Sequence, residues 1–263
     1  MTHILSASDR SDSSVIPDCV RQLLTRHGTS RDLSAGAILA AEGEPSDRLH
    51  FAKSGWTYRY SVTHEGSRQI LGVSLPGDFC NLDGLGTPLL SYGVRTRTPA
   101  TIVSIPYAVV LAAMERSPEL AAWFRRLISI ENAILGRLTM SIGRQSARSR
   151  LAHFICEMMV RIKRTRAGEK RPPFDMPFTQ EDLGDILGLT AVHINRTLQT
   201  LKNDGVVSMD NHKIRVLDMA RLARIADFDA LYLGMSGRPD DAATASLSLP
   251  IGRPVMHHGM IVG

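Results

Sequence analysis

Between residues 33 and 106 the apolar positions fall in short runs cut by turn formers: Gly36, Glu42-Gly43-Glu44-Pro45, Ser54-Gly55, Glu65-Gly66-Ser67 and Pro76-Gly77-Asp78. Strands this short, broken this regularly, predict an antiparallel sandwich or roll. Within it, Trp56-Thr57-Tyr58-Arg59-Tyr60-Ser61-Val62 alternates large and polar residues up to His64-Glu65-Gly66, and Gln69-Ile70-Leu71-Gly72-Val73 follows as a return strand. The pair predicts a β-hairpin.

The period then changes. Proline suits a first helical turn, and after Ser117-Pro118 residues 120–145 contain no further proline, which predicts one long helix. Leu127, Glu131, Ile134, Leu138, Ser141 and Gln145 recur at alternating steps of four and three, the spacing of a two-stranded seam, so the first five are the candidate dimer interface. Ile128, Leu135 and Ile142 form a second apolar row, which leaves open one face packed inward and one across the dimer. A second amphipathic helix over 148–163 buries Leu151, Phe154, Ile155, Met158 and Met159, and a polar loop follows over 164–173.

Two short helices come next. Thr179 can cap the first, with Asp182 returning the bond three residues later, and Leu183, Ile186 and Leu187 form its buried face. Gly188 supplies the positive φ for a sharp turn. Thr190 can cap the second helix, whose Ile194, Leu198 and Leu201 face inward until Asp204-Gly205 stops it. This is a helix-turn-helix. At about 100° per residue, Val192, Arg196, Gln199 and Asn203 point away from the core with His193 and Asn195 on the flanks. No acid occurs from Leu187 to Asn203, so Thr190, Val192, His193, Asn195, Arg196, Gln199 and Lys202 form a candidate DNA-reading face free of phosphate-repelling carboxylates. Residues 206–209 and 213–217, flanking Asp210-Asn211-His212, predict a hairpin wing.

Charge sharpens this. The net charge of +5 is modest, but residues 137–171 hold Lys or Arg at 137, 144, 148, 150, 161, 163, 164, 166, 170 and 171 against only Glu157 and Glu169, which suggests a polyanionic partner. The three cysteines, Cys19, Cys80 and Cys156, are widely spaced and show no metal or redox pairing. No catalytic constellation and no metal-ligand set stands out, and no run of residues is long and apolar enough for a membrane span. A cytoplasmic protein is expected.

Leu183-Gly184-Asp185-Ile186-Leu187-Gly188-Leu189-Thr190, followed by Ile194-Asn195-Arg196 and Leu201-Lys202-Asn203-Asp204-Gly205, closely resembles Crp/Fnr-type transcription regulators. Leu33, Gly36, Glu42-Gly43, Gly55 and Pro76-Gly77-Asp78-Phe79 are similar to that family's cyclic-nucleotide-binding-type β-roll. The resemblance implies an α+β chain with an N-terminal antiparallel β-roll, a long dimerisation helix and a C-terminal winged helix-turn-helix. The expected division is a disordered tail at 1–19, a sensor roll at 20–116, the dimerisation helix at 117–146, the DNA-binding domain at 147–233 and a second disordered tail at 234–263. The implied partners are a second copy of the chain, double-stranded DNA carrying an inverted repeat, and RNA polymerase.

The chain departs from the family at both ends. Where many relatives carry Glu-x-x-Ser-Arg on the recognition helix, this chain has Val192 to Arg196 and matches only in the Arg. Arg196 can still reach guanine O6 and N7, but Val192 cannot accept from cytosine. Cyclic-nucleotide binders carry a Gly-Glu turn and a downstream Arg-Ser or Arg-Thr. Here the turn is Phe79-Cys80-Asn81-Leu82-Asp83 and Arg-Thr occurs as Arg95-Thr96 and Arg97-Thr98. Phe79, Asn81, Arg95, Thr96 and Arg97 are therefore the candidate effector pocket, although the missing Glu argues against a cyclic nucleotide. Three cysteines cannot supply a four-cysteine iron–sulfur cluster on one subunit, and haem rests only on the scattered His27, His50 and His64. The effector stays unassigned. A winged-helix protein-interaction adaptor is the main alternative, and a cupin-like enzyme would need clustered His and Glu that the chain lacks.

Overall fold

The computed structural model describes residues 16–87, 89–165, 174–210 and 213–234. Helix α1 (Asp18–His27) leads into seven strands: β1 (Thr29–Leu33), β2 (Ile38–Ala40), β3 (Arg48–Ser54), β4 (Thr57–Val62), β5 (Arg68–Ser74), β6 (Gly93–Thr96) and β7 (Ala100–Pro106). Helices α2 (Tyr107–Arg116), α3 (Pro118–Arg144) and α4 (Ala147–Thr165) follow. Then come β8 (Phe174–Asp175), α5 (Gln180–Leu187), α6 (Ala191–Asn203), β9 (Val207–Asp210), β10 (Lys213–Val216) and α7 (Met219–Ala226).

The first seven strands form two antiparallel sheets, ordered β1-β7-β3 and β2-β6-β4-β5. Strand β7 is central in its sheet and is buried on both sides. Ala100 and Ile102 join Ala52 of β3 and Val94 of β6 in the apolar layer between the sheets. Val103 and Ile105, at the opposite parity, pack with Val20 and Leu24 of α1, Val110 of α2, and Leu120 and Phe124 of α3. A strand buried on both sides reads as a continuous apolar run, as Thr101-Ile102-Val103-Ser104-Ile105 very nearly does.

The expected hairpin is present as β4 and β5, with Tyr58 opposite Val73 and Arg59 opposite Gly72. The long helix starts where Ser117 caps it, the Ser117 hydroxyl accepting from the Leu120 N–H at 3.2 Å, with Pro118 in the first turn. The polar loop expected over 164–173 falls mostly outside the described residues, as do both expected tails from 1–15 and 235–263. The tail boundary at residue 19 needs correcting, because α1 starts at Asp18 and buries Val20 and Leu24 against the roll. Helices α1, α2 and α7 were not anticipated: each is only eight to ten residues long, so its apolar stripe is carried by two or three buried positions.

The winged module is built from α4 to α7 and the antiparallel sheet β8-β10-β9. Its apolar core, which includes Leu151, Ile155, Leu183, Leu187, Ile194, Leu198, Leu201, Ile214 and Leu222, is continuous with Tyr58, Ile70, Val73 and Leu75 of the β4–β5 hairpin. The two halves are therefore packed together on a shared apolar surface.

Candidate nucleic-acid interface

Helix α5 opens with a complete capping box. The Thr179 hydroxyl accepts from the Asp182 N–H at 3.1 Å, and the Asp182 carboxylate accepts from the Thr179 N–H at 3.0 Å. The helix ends at Gly188, with φ of 63°, in the left-handed region foreseen for it. A second glycine makes the turn tight: a side chain at Gly184 would put its Cβ 2.4 Å from the Leu189 carbonyl oxygen. The Gly184 carbonyl instead accepts the Leu189 N–H at 3.0 Å.

Thr190 caps α6, its hydroxyl accepting from the His193 N–H at 3.2 Å. Ile194, Thr197, Leu198 and Leu201 are buried, whereas Thr190, Val192, His193, Asn195, Arg196, Gln199 and Lys202 are all exposed. All seven predicted reading residues are thus open to solvent. Val192 is an apolar side chain left 63% exposed, which favours an apolar contact such as a thymine methyl there. The Asn195 side-chain N–H donates to the Gln180 side chain at 3.2 Å, which orients its amide across the two helices. The wing β9–β10 stands beside α6, with its tip at residues 211–212 outside the described residues.

The basic run over 137–171 serves the fold more than expected. Arg148 pairs with Asp204 at 2.5 Å, Arg150 donates to the Gln145 and Leu187 carbonyls, and Arg137 donates to the Asp227 carbonyl. Arg161 is buried between Asp78 at 2.7 Å and Glu157 at 3.2 Å. Desolvation opposes its charge, but the two carboxylates outweigh that cost and raise its pKa. Of Arg137, Arg144, Arg148, Arg150 and Arg161, only Arg144 is exposed. Sequence alone cannot separate a guanidinium facing solvent from one aimed at a distant carboxylate.

The candidate effector residues do not converge. Phe79 packs among Phe51, Trp123 and Phe124. Asn81 is fully buried and structural, accepting from the His50 N–H at 2.9 Å and donating to the Arg48 carbonyl at 2.9 Å. Thr96 fastens the β1–β2 turn through the Ser34 carbonyl and the Ala37 N–H. Arg95 lies over the Tyr60 ring at 5.2 Å, and Arg97 reaches Asp182 in α5 at 3.0 Å. The cation that sequence reasoning missed is Arg59, which pairs with Glu131 of α3 at 2.5 Å and lies over the Tyr92 ring, while the Tyr92 hydroxyl donates to Asp83. Its one sequence signal is Gly72, directly across the hairpin, where a Cβ would lie 2.6 Å from the Arg59 guanidinium. Arg59 and Arg97 are thus paired with carboxylates of this chain, and Arg95 lies over a ring, while the Nε atoms of Arg95 and Arg97 are buried without a hydrogen-bond partner.

The predicted dimer row makes contacts within its own chain. Leu127 packs on the roll, Glu131 pairs with Arg59, Ile134 and Leu138 pack against the core shared by the hairpin and the winged module, and Ser141 is buried. The first four remain half-buried. Beside them, Ile128 is 37% and Leu135 44% exposed.

Comparison with known proteins agrees with this architecture. Residues 30–117 match the cyclic nucleotide-binding domain family, and residues 149–225 match the Crp-like helix-turn-helix domain family. The transcriptional activator protein anr of Pseudomonas aeruginosa is 24% identical over 196 residues, covering 74% of this chain and 80% of that protein. The transcriptional activator protein FnrL of Cereibacter sphaeroides is 26% identical over 203 residues, covering 76% of this chain and 81% of that one. Among solved structures, FixK2 from Bradyrhizobium japonicum matches with a TM-score of 0.69 at 22% identity, covering 77% of this chain and 99% of that chain. A CooA mutant from Carboxydothermus hydrogenoformans matches with a TM-score of 0.62 at 17% identity, over 78% of this chain and 90% of that chain. With a β-roll and a winged helix-turn-helix joined by one long helix, the chain carries a cyclic nucleotide-binding-type domain followed by a Crp-like helix-turn-helix domain and is similar, along about three quarters of its length, to the DNA-binding transcription regulators of the Crp/Fnr family.

Proposed function

We propose that the chain binds an inverted-repeat operator as a homodimer, inserting α6 of each subunit into successive major grooves roughly 34 Å apart. The observation that carries this is the open face of α6, where Arg196 stands among Val192, His193, Asn195, Gln199 and Lys202 with no carboxylate on the helix. Arg196 reads guanine, Asn195 and Gln199 contact adenine or phosphate, and Lys202 contacts phosphate.

The second copy docks along α3, through the exposed Ile128 and Leu135 together with the half-buried Leu127, Glu131, Ile134 and Leu138 beside them. A cytoplasmic location and contact with RNA polymerase follow from regulating transcription. The division into roll, long helix and winged module holds as a proposal at the expected boundaries, with the roll side extended to take in α1.

Selection of retained sequences from random double-stranded DNA at fixed, near-physiological salt tests the function, with Arg196→Ala as control. An enriched inverted repeat with half-site centres one helical turn apart, lost in the variant, is the expected result. Retention with no shared sequence would refute it.

A further inference from the structure

The β4–β5 hairpin of the roll grips both ends of α5, the helix that supports the reading helix. At the N-terminal end, Arg68 places one terminal nitrogen 2.8 Å from Asp182 and its Nε 2.6 Å from Asp185, while Arg97 meets the other Asp182 oxygen at 3.0 Å. Asp182 and Asp185 lie three residues apart on one helix face, so a single planar guanidinium that binds both fixes the rotation of α5 about its axis. At the C-terminal end, the Gln69 side-chain N–H donates to the Asp185 and Ile186 carbonyls. These belong to the last turn, whose carbonyls have no partner within the helix. Arg150 takes the Leu187 carbonyl at 3.0 Å and Leu189 takes that of Gly184, so every last-turn acceptor is engaged, two of them by the roll.

Apolar contact backs the polar grip. The Trp56 ring meets Phe178 edge-on at 5.7 Å, and Tyr58 and Ile70 share a core with Leu183, Ile186 and Leu187. The grip leaves the reading face free, because every reading residue of α6 stays exposed while it is engaged.

Resting on the DNA-binding function above, we infer that Arg68 and Gln69, with Arg97, are positioning residues for DNA recognition: they orient the helix-turn-helix on the roll so that both reading helices of a dimer meet their grooves together. A module free to turn on its tether would have to be ordered at the moment of binding, which weakens specific binding. Contacts to phosphate, which tolerate many orientations, would be less affected.

The test has two readouts on the full chain. In the first, Arg68→Ala with Gln69→Ala is compared with the unchanged protein for affinity to the selected operator and to an unrelated duplex of equal length. Operator affinity should fall roughly tenfold or more, while unrelated-duplex affinity shifts much less. In the second, spin labels at Glu44 and Arg224, both exposed and outside the reading face, are introduced in a Cys19→Ser background. Their distance distribution should be narrow in the unchanged protein and broad in the double variant. Arg68→Glu should show both defects more strongly, and adding Asp185→Arg should restore much of the loss, which a merely unfolded protein would not do. Unchanged or increased operator affinity, or an unchanged distance distribution in the double variant, would overturn the inference. If the unchanged protein selects no operator, the DNA-binding function fails, and the label distances still decide whether the grip orients the module.

Discussion

The Arg59 guanidinium of β4 meets the Glu131 carboxylate of α3 at 2.5 Å, joining the roll to the long helix in a setting where both side chains are largely buried. Gly72 leaves the room for that guanidinium, and Tyr92 covers it. A largely buried pair contributes little against an apolar substitute, but removing one partner strands the other charge. Glu131→Ala should therefore destabilise the chain by roughly 2–4 kcal/mol, with Arg59→Met/Glu131→Leu recovering part of the loss. Urea midpoints of the three variants check this.

Gly184 predicts a local failure of the reading module. A methyl group there would lie 2.4 Å from the Leu189 carbonyl oxygen, which is backbone and cannot swing aside. Gly184→Ala should cost roughly 1–3 kcal/mol and displace α5 from α6. Hydrogen exchange should show loss of protection concentrated in 179–203.

Arg196 should account for operator discrimination more than for raw affinity. Its removal should cost about 1–3 kcal/mol per half-site against the preferred base and relax selectivity at that position. Lys202→Ala should weaken all duplexes alike and reduce the salt dependence by roughly one unit of slope. Competition binding at several salt concentrations separates the two.

The exposed α3 row predicts the assembly state. Leu135→Arg should convert a dimer to a monomer in sedimentation equilibrium with little change in melting temperature, because Leu135 is 44% exposed and lies outside the buried apolar clusters of the described residues. Leu138→Arg, directed at the winged-module core, should instead lower the melting temperature.

Two buried histidines give a pH dependence. Burial lowers the pKa of His50, beside Ser104, from 6.5 to about 4, and does the same to His153, beside Tyr232. The unfolded chain takes up these protons first as pH falls, so stability is full above pH 6.5 and declines from there toward pH 4. Each histidine should cost about 2 kcal/mol at pH 5 relative to pH 8. Denaturant unfolding across that range should show the slope, and His50→Gln should remove half of it.

The helix-turn-helix was legible because its signals are local. Thr179 with Asp182, Gly188 and the spacing of Ile194, Leu198 and Leu201 act over one to seven residues, and each holds in the structure. The hairpin over 56–73 was legible for the same reason. The candidate effector site was not. Arg95-Thr96 and Arg97-Thr98 gave the residue types a phosphate needs, but pairing β6 with β4 turns Arg95 onto Tyr60, and docking α5 on the roll turns Arg97 onto Asp182.

By itself the sequence determined the elements, the capped and glycine-bounded recognition helices, and which side of α6 is polar, because these depend on residues within a turn or two of one another. It also showed two apolar rows along α3. Only the tertiary structure decided how these rows pack within the chain, since Glu131 meets Arg59 and Leu138 packs against the core of the winged module, partners far away in the chain. It likewise decided that much of the basic run serves the fold. The energy of a charged or apolar side chain depends on what long-range packing places beside it, and no local spacing encodes that neighbour.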